Sequence, residues 1–190
     1  MQKLILATLF CSISLSILSQ EEVYSKKEQK QIQKEERLAA KEAENELLRF
    51  QTESMLQMRR FVLEADYLSD KSGKRVAVNS TINFIKIDSL KLVMQLGSNY
   101  GVGYNGVGGI TIDGRVTKYD LKIIEGKKGK SYNLTIMVMS STGNYDIMLM
   151  INDVGSTDAT IRSNTSGQLR YYGKLVPIEL SKVYKGSPTY

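Results

Sequence analysis

The chain has 190 residues, 42% of them hydrophobic and 24% charged, with a formal net charge of +6 and neither histidine nor tryptophan. Lack of His excludes a Ser-His-Asp triad, a Cys-His dyad and an imidazole zinc site. A lone cysteine, Cys11, excludes an internal disulfide, a thiolate zinc cage and an iron–sulfur site. What remains for catalysis is carboxylates, lysines, tyrosines and hydroxyls in no recognisable catalytic pattern. The expectation is a protein that is not an enzyme and that uses no cofactor and no metal.

The first twenty residues read as a cleaved export signal. Lys3 supplies a short positive start, and 4–18 is an apolar stretch broken only by Cys11 and small hydroxyl residues. Ser19-Gln20 then precedes a charged run. Fifteen residues are short for a span that needs about 20. Thr8-Leu9-Phe10 before Cys11 does not suit a lipoprotein cysteine, so a periplasmic or otherwise exported, unlipidated chain is expected.

From Glu21 to Ser72 there is neither Gly nor Pro, and Lys, Glu, Gln, Ala and Leu dominate. These are strong helix formers. The segment 21–49 holds seven basic and eight acidic residues, a dense but nearly neutral mixture. Its first half lacks an apolar stripe. The second half has one, in Leu48, Met55 and Met58 beside Leu47 and Leu56. This predicts a charged helical extension over 21–58, solvated over 24–45 and docking on the following domain over 46–58. A dimeric coiled coil would need apolar a and d positions over three or four heptads, and those are absent.

Beyond the helix the pattern changes to period two, punctuated by Gly, Asn, Asp and Ser. Strands are predicted at 60–66, 74–79, 90–96, 107–113, 115–125, 131–139, 144–152, 156–163 and 167–173. They make a β domain over 59–180 with a short tail over 181–190. Short strands in close succession indicate a mainly β fold, an antiparallel meander closed as a barrel or folded as a sandwich.

One hairpin is legible in detail. Pairing Met139 with Asn144 puts Tyr132, Leu134, Ile136, Val138, Tyr145, Ile147, Leu149 and Ile151 on one face. Met137, Met139, Met148 and Met150 then share the other with Asn133, Thr135, Asn144 and Asp146. A slip of one residue destroys this division. The aliphatic face is core. The methionine face is either part solvated and part covered by helix 46–58 or a neighbouring strand, or an adaptable patch for a partner.

The segment 97–109, GSNYGVGYNGVGG, contains a literal G-x-G-x-x-G at Gly101, Gly103 and Gly106. A dinucleotide site needs a helix to follow, whose N-terminus holds the pyrophosphate. Here Ile110-Thr111-Ile112-Asp113 follows, a strand, so the nucleotide reading fails. The segment is a flexible connection, or a ligand loop in which Tyr100, Tyr104 and Asn105 offer aromatic faces and hydrogen bonds at a barrel mouth. The Gly126-Lys127-Lys128-Gly129-Lys130 segment reads as a solvated hairpin tip that discourages edge pairing. It lacks the interleaved aromatics of a nucleic-acid surface, so no nucleic-acid partner is expected and peripheral membrane contact at most. Asp113, Asp120, Glu125, Asp146, Asp153 and Asp158 offer no distinctive carboxylate pair, and Asp88-Ser89-Leu90 reads as an ordinary turn.

The order of motifs across 60–186 resembles a known family. Phe61-Val62-Leu63-Glu64-Ala65 is followed by Asn83-Phe84-Ile85-Lys86-Ile87-Asp88 and Val93-Met94-Gln95-Leu96-Gly97. Gly103-Tyr104-Asn105-Gly106-Val107-Gly108-Gly109-Ile110-Thr111 and Leu169-Arg170-Tyr171-Tyr172-Gly173-Lys174-Leu175-Val176-Pro177 complete the series. Together they resemble the uncharacterised exported family called domain of unknown function 4251, found mainly in Bacteroidetes. The resemblance implies a lipocalin-like β-barrel behind a charged helix, in the cell envelope, and supplies no activity or catalytic residue. Two functions are therefore expected in order. The first is binding of a small apolar or amphipathic ligand, in the barrel or at Tyr100, Tyr104 and Asn105. The second is contact with an envelope protein through the N-terminal helix or through Met137, Met139, Met148 and Met150.

Overall fold

The computed structural model describes residues 25–98, 103, 105–127, 129–164 and 167–189. The export signal predicted for 1–20 lies outside the described residues, as do Tyr100 and Tyr104. Among the described residues no helix is long and apolar enough to cross a membrane.

Helix α1 runs over Lys26–Met58 as one element. It opens with a reciprocal cap, in which the Ser25 N–H donates to Glu28 Oε2 at 2.8 Å and the Glu28 N–H to Ser25 Oγ at 3.4 Å. Nothing from Lys26 to Glu42 is buried. The chain divides into compact units between Glu42 and Ala43, and the rest of the helix belongs to the second unit. There Thr52, Met55 and Leu56 are buried, Met55 and Leu56 among the barrel's core residues. The helix stops at Arg59, a non-glycine residue at φ +54°, a left-handed conformation that ends the i→i−4 ladder.

Nine strands follow: β1 (Arg60–Asp70), β2 (Arg75–Ala77), β3 (Phe84–Asp88), β4 (Lys91–Leu96), β5 (Ile110–Gly126), β6 (Gly129–Ser140), β7 (Gly143–Asn152), β8 (Ser156–Ser163) and β9 (Gln168–Val176). All pairings are antiparallel. The order runs β1-β3-β4-β5-β6-β7-β8-β9 and closes through β9 on β1, with β2 added beside β1. The fold is thus mainly β, a closed eight-stranded barrel with one extra strand, and closure eliminates the sandwich alternative.

Closure needs a glycine at Gly173. It stands opposite Ala65, next to a register shift between Ala65 and Tyr67. A Cβ there would lie 1.9 Å from the Glu64 carbonyl oxygen.

The β6–β7 register is the predicted one, with Met139 opposite Asn144 and Leu134 opposite Leu149. Two strand expectations are corrected. The segments 107–113 and 115–125 are not two strands: 107–109 precede the sheet, and the rest lies in β5, which passes through Asp113-Gly114-Arg115 without turning. Gly114 is there for contact, since a Cβ would meet Val138 Cγ1 at 2.3 Å. Strand β3 was not among the predicted strands. Phe84, Ile85 and Ile87 are all buried, so Phe84-Ile85 breaks the alternation that signals a half-buried strand.

Candidate functional site

The barrel interior is filled. Phe61, Leu63, Ile85, Leu92, Leu134, Ile136, Ile147, Leu149 and Tyr171 are each no more than 1% exposed. They belong to one cluster that takes in Met55 and Leu56 of α1. The helix is fastened there by the Tyr119 hydroxyl donating to the Leu56 carbonyl at 2.7 Å. Arg49 bonds Asp153 at 2.9 Å and Lys130 bonds Glu53 at 2.8 Å. Lys130, one of the three lysines of the 126–130 segment, is therefore tied to the helix.

Asn105 is buried and committed to its own loop. Its Oδ1 accepts from the N–H groups of Val107 and Gly109 at 3.1 and 2.9 Å, and its Nδ2 donates to Thr111 Oγ1 at 3.1 Å. Its carbonyl accepts from the Ser187 N–H at 2.9 Å. Thr111 in turn donates to Gln95 Oε1, which also accepts from the Gly186 N–H, while Gln95 Nε2 reaches the Tyr184 carbonyl. Met94 and Ile112 point into the core, so by alternation Gln95 and Thr111 point outward. They are nevertheless buried, because the C-terminal segment lies over them. Sequence reasoning missed this layer; the signal was the run of polar residues at Gln95, Asn105 and Thr111 between apolar neighbours. The loop passes from Gly109 directly into β5, with no helix for a phosphate.

The four methionines lie on the opposite side of their strands from the core. Met137, Met139, Met148 and Met150 are 41%, 59%, 50% and 59% exposed. The docked helix does not cover them. The ladders extend this face in rows. One runs Tyr67, Tyr172, Asp158, Met150, Asn133, Lys122 across β1, β9, β8, β7, β6 and β5. The next runs Ser69, Arg170, Thr160, Met148, Thr135, Asp120. A third runs Arg162, Asp146, Met137, Lys118.

The methionines thus join a cluster that the sequence did not flag. The Arg75 guanidinium sits 3.9 Å from the centroid of the Tyr172 ring, a cation–π contact. Hydrogen bonds with Ser69 and Arg170 hold the Tyr172 hydroxyl below the usual tyrosine range. A surface groove of about 640 Å³ connects the two regions, lined by Asp66, Tyr67, Arg75, Met150, Asp158 and Tyr172 among others. At its side Asp158 Oδ1 and Arg170 Nε are buried without a hydrogen-bond partner. No group of three His, Cys, Asp or Glu side chains among the described residues is placed to hold a metal ion.

Comparison with known proteins assigns the family. The model of the family described as "Domain of unknown function (DUF4251)" matches residues 42–175, more than half of the chain. This chain belongs to the DUF4251 family. The matched segment starts at the boundary of the second unit and ends at the penultimate residue of β9. The crystal structure of a DUF4251 family protein from Bacteroides eggerthii DSM 20697 is similar, at 27% identity and a TM-score of 0.57. That likeness covers 71% of this chain and 91% of that one. No curated protein matches this DUF4251 chain.

Proposed function

We propose that this DUF4251 protein is an exported, non-catalytic interaction module of the cell envelope, and that the outer face of β5 to β9 is where it meets another protein. The observation that carries the reading is the exposure of Met137, Met139, Met148 and Met150 together on the outside of a barrel whose inside is full. A filled interior and an inward-committed Asn105 weigh against a small apolar ligand in the barrel or at the loop, the other function expected from the sequence. Flexible, polarizable methionines adapt to a partner's shape. Methionine, tyrosine and arginine are also the residues enriched at interface centres, and Tyr67, Tyr172 and Arg75 flank the methionines. If a partner draws their side chains outward, Asp158 and Arg170 each gain the hydrogen bond they lack. Basic residues Arg115, Lys118, Lys122, Arg162, Arg170 and Lys174 outnumber Asp113, Asp120, Asp146 and Asp158 on this face, so the partner's matching surface is apolar with an acidic rim. Export rests on the apolar segment 4–18 behind Lys3.

The test is a photo-cross-linking side chain placed at Met148 and, as a control, at Leu180, which is 66% exposed. In growing cells the Met148 position is expected to give one discrete adduct in the envelope fraction and the Leu180 position none. The same products from both positions, or none from Met148, would overturn the proposal.

A further inference from the structure

Strand β5 is longer than the strand that pairs one of its edges. Strand β4 accompanies it only from Ile110 to Arg115, with a last bond from the Val116 N–H to the Leu90 carbonyl. Strand β6 accompanies the other edge from Gly114 to Gly126. From Thr117 to Gly126 one edge of β5 therefore has no strand beside it among the described residues. Thr117, Lys118 and 122–126 are exposed, including Ile123 at 44% and Ile124 at 47%. Tyr119, Asp120 and Leu121 between them are half-buried, but an edge of this length without a partner strand is a template for another strand.

The ladder geometry says which groups face that edge. Gly126 and Gly129 are the pair that closes the connection between β5 and β6. Hydrogen bonding alternates along an antiparallel pair. Ile124, Lys122 and Asp120 thus turn their N–H and C=O groups toward β6, and Ile123, Leu121 and Tyr119 turn theirs to the open edge.

We propose that this edge pairs antiparallel with the same edge of a second copy of the chain, about a two-fold axis at Leu121. In this register Leu121 faces its own copy and Tyr119 faces Ile123 of the other chain, through the hydrogen bonds the open edge offers. Asp120 faces Lys122 and Lys122 faces Asp120, as non-hydrogen-bonded pairs whose side chains approach most closely. The strand is self-complementary there in hydrogen bonding, in apolar contact and in charge. The side chains of Asp120 and Lys122 have no ion pair or hydrogen bond among the described residues of their own chain, although their backbones are bonded to β6. A two-fold at Ile123 would leave both charges unmatched. One at Tyr119 would replace Lys122 by Lys118 and would run into Val116, which is already bonded to Leu90. The dimer rests on β5's edge and not on the methionine face, so it stands or falls separately from the function proposed above. It would bring the outer faces of two barrels into one continuous sheet.

The test is sedimentation velocity on the purified chain, over a wide concentration range. The unaltered chain is expected to dimerise. Asp120→Lys and Lys122→Asp are each expected to weaken the dimer about tenfold or more, by setting like charges opposite in two symmetric places. Combining both should restore it, and Lys118→Glu should leave it intact. A monomer at every concentration, a dimer indifferent to the single reversals, or a double reversal as weak as either single one would overturn the proposal. So would disruption by Lys118→Glu alone.

Discussion

Met150 stands directly opposite Asp158 across the β7–β8 ladder, both on the outside of the barrel, while the adjacent Leu149 stands opposite Ala159 on the inside. Adjacent residues thus sort between a surface and a packed interior, and substitutions at them should behave very differently.

Leu149→Ala and Ile147→Ala remove side chains that are at most 1% exposed. Each is expected to cost about 2–5 kcal/mol of unfolding free energy, from lost transfer energy and the cavity left behind. Met148→Gln and Met150→Gln, on the outer side of the same strand, should stay within about 0.5 kcal/mol. Denaturant unfolding followed by circular dichroism reads the difference. Equal losses at both sets of positions would contradict the outward placement of the methionines.

Leu56 is fully buried in the barrel core although it belongs to α1. Leu56→Ala is expected to destabilise the whole barrel by about 2–5 kcal/mol, with a single unfolding transition. If barrel unfolding is unchanged, the last turns of the helix are not part of the core.

At the seam, Gly173→Ala drives a methyl group against the Glu64 carbonyl and the Ala65 Cα. The backbone cannot yield as a flexible side chain would. The expected cost is about 1–3 kcal/mol or more, and amide exchange should speed most across β1 and β9. Gly167→Ala is the control, because a Cβ there meets nothing within 4 Å.

Alkaline pH gives a separate prediction. Burial raises the Tyr171 hydroxyl, which donates to the Gln95 carbonyl at 3.0 Å, above the ordinary tyrosine range, and raises Tyr119 likewise. The folded state binds these protons more tightly than the unfolded chain does, in which tyrosine ionises near 10. Their contribution to stability is therefore full below pH ~10. Above that it falls by about 1.4 kcal/mol per pH unit for each tyrosine until the folded-state pKa is reached. Tyrosinate absorbance should rise in two stages, exposed tyrosines first and the buried Tyr119, Tyr132 and Tyr171 only with unfolding. A single stage near pH 10 with the barrel still folded would contradict the burial.

The sequence was readable where one rule governed a segment. The β6–β7 hairpin has one side in the core and one in water, so alternation alone set its register, down to Met139 opposite Asn144. Strand β3 escaped because Phe84 and Ile85 are buried on opposite sides. Asp113-Gly114 imitated a turn because close contact with Val138 requires the same residue type that a turn does. The methionine cluster was legible from the hairpin itself. Its neighbours Tyr67, Arg75 and Tyr172 were not, because barrel closure joins β1 to β9 across about a hundred residues, and no local pattern records that pairing. The structural role of Asn105 was hidden for a similar reason: beside its local partners Val107, Gly109 and Thr111, it bonds Ser187 of the distant C-terminal segment.

The central claim, that the methionine face is covered by a partner in the cell, is tested most directly by oxidative footprinting. Met137, Met139, Met148 and Met150 would be oxidised to sulfoxides in intact cells and in the purified protein, and the extents compared by peptide mass spectrometry. Met58, 59% exposed on α1, and Met94, 5% exposed in the core, serve as internal references. The four face methionines are expected to react readily in the purified protein and to be protected in cells relative to Met58. Equal reactivity in both settings would mean that the face is bare in the cell, and would contradict the account.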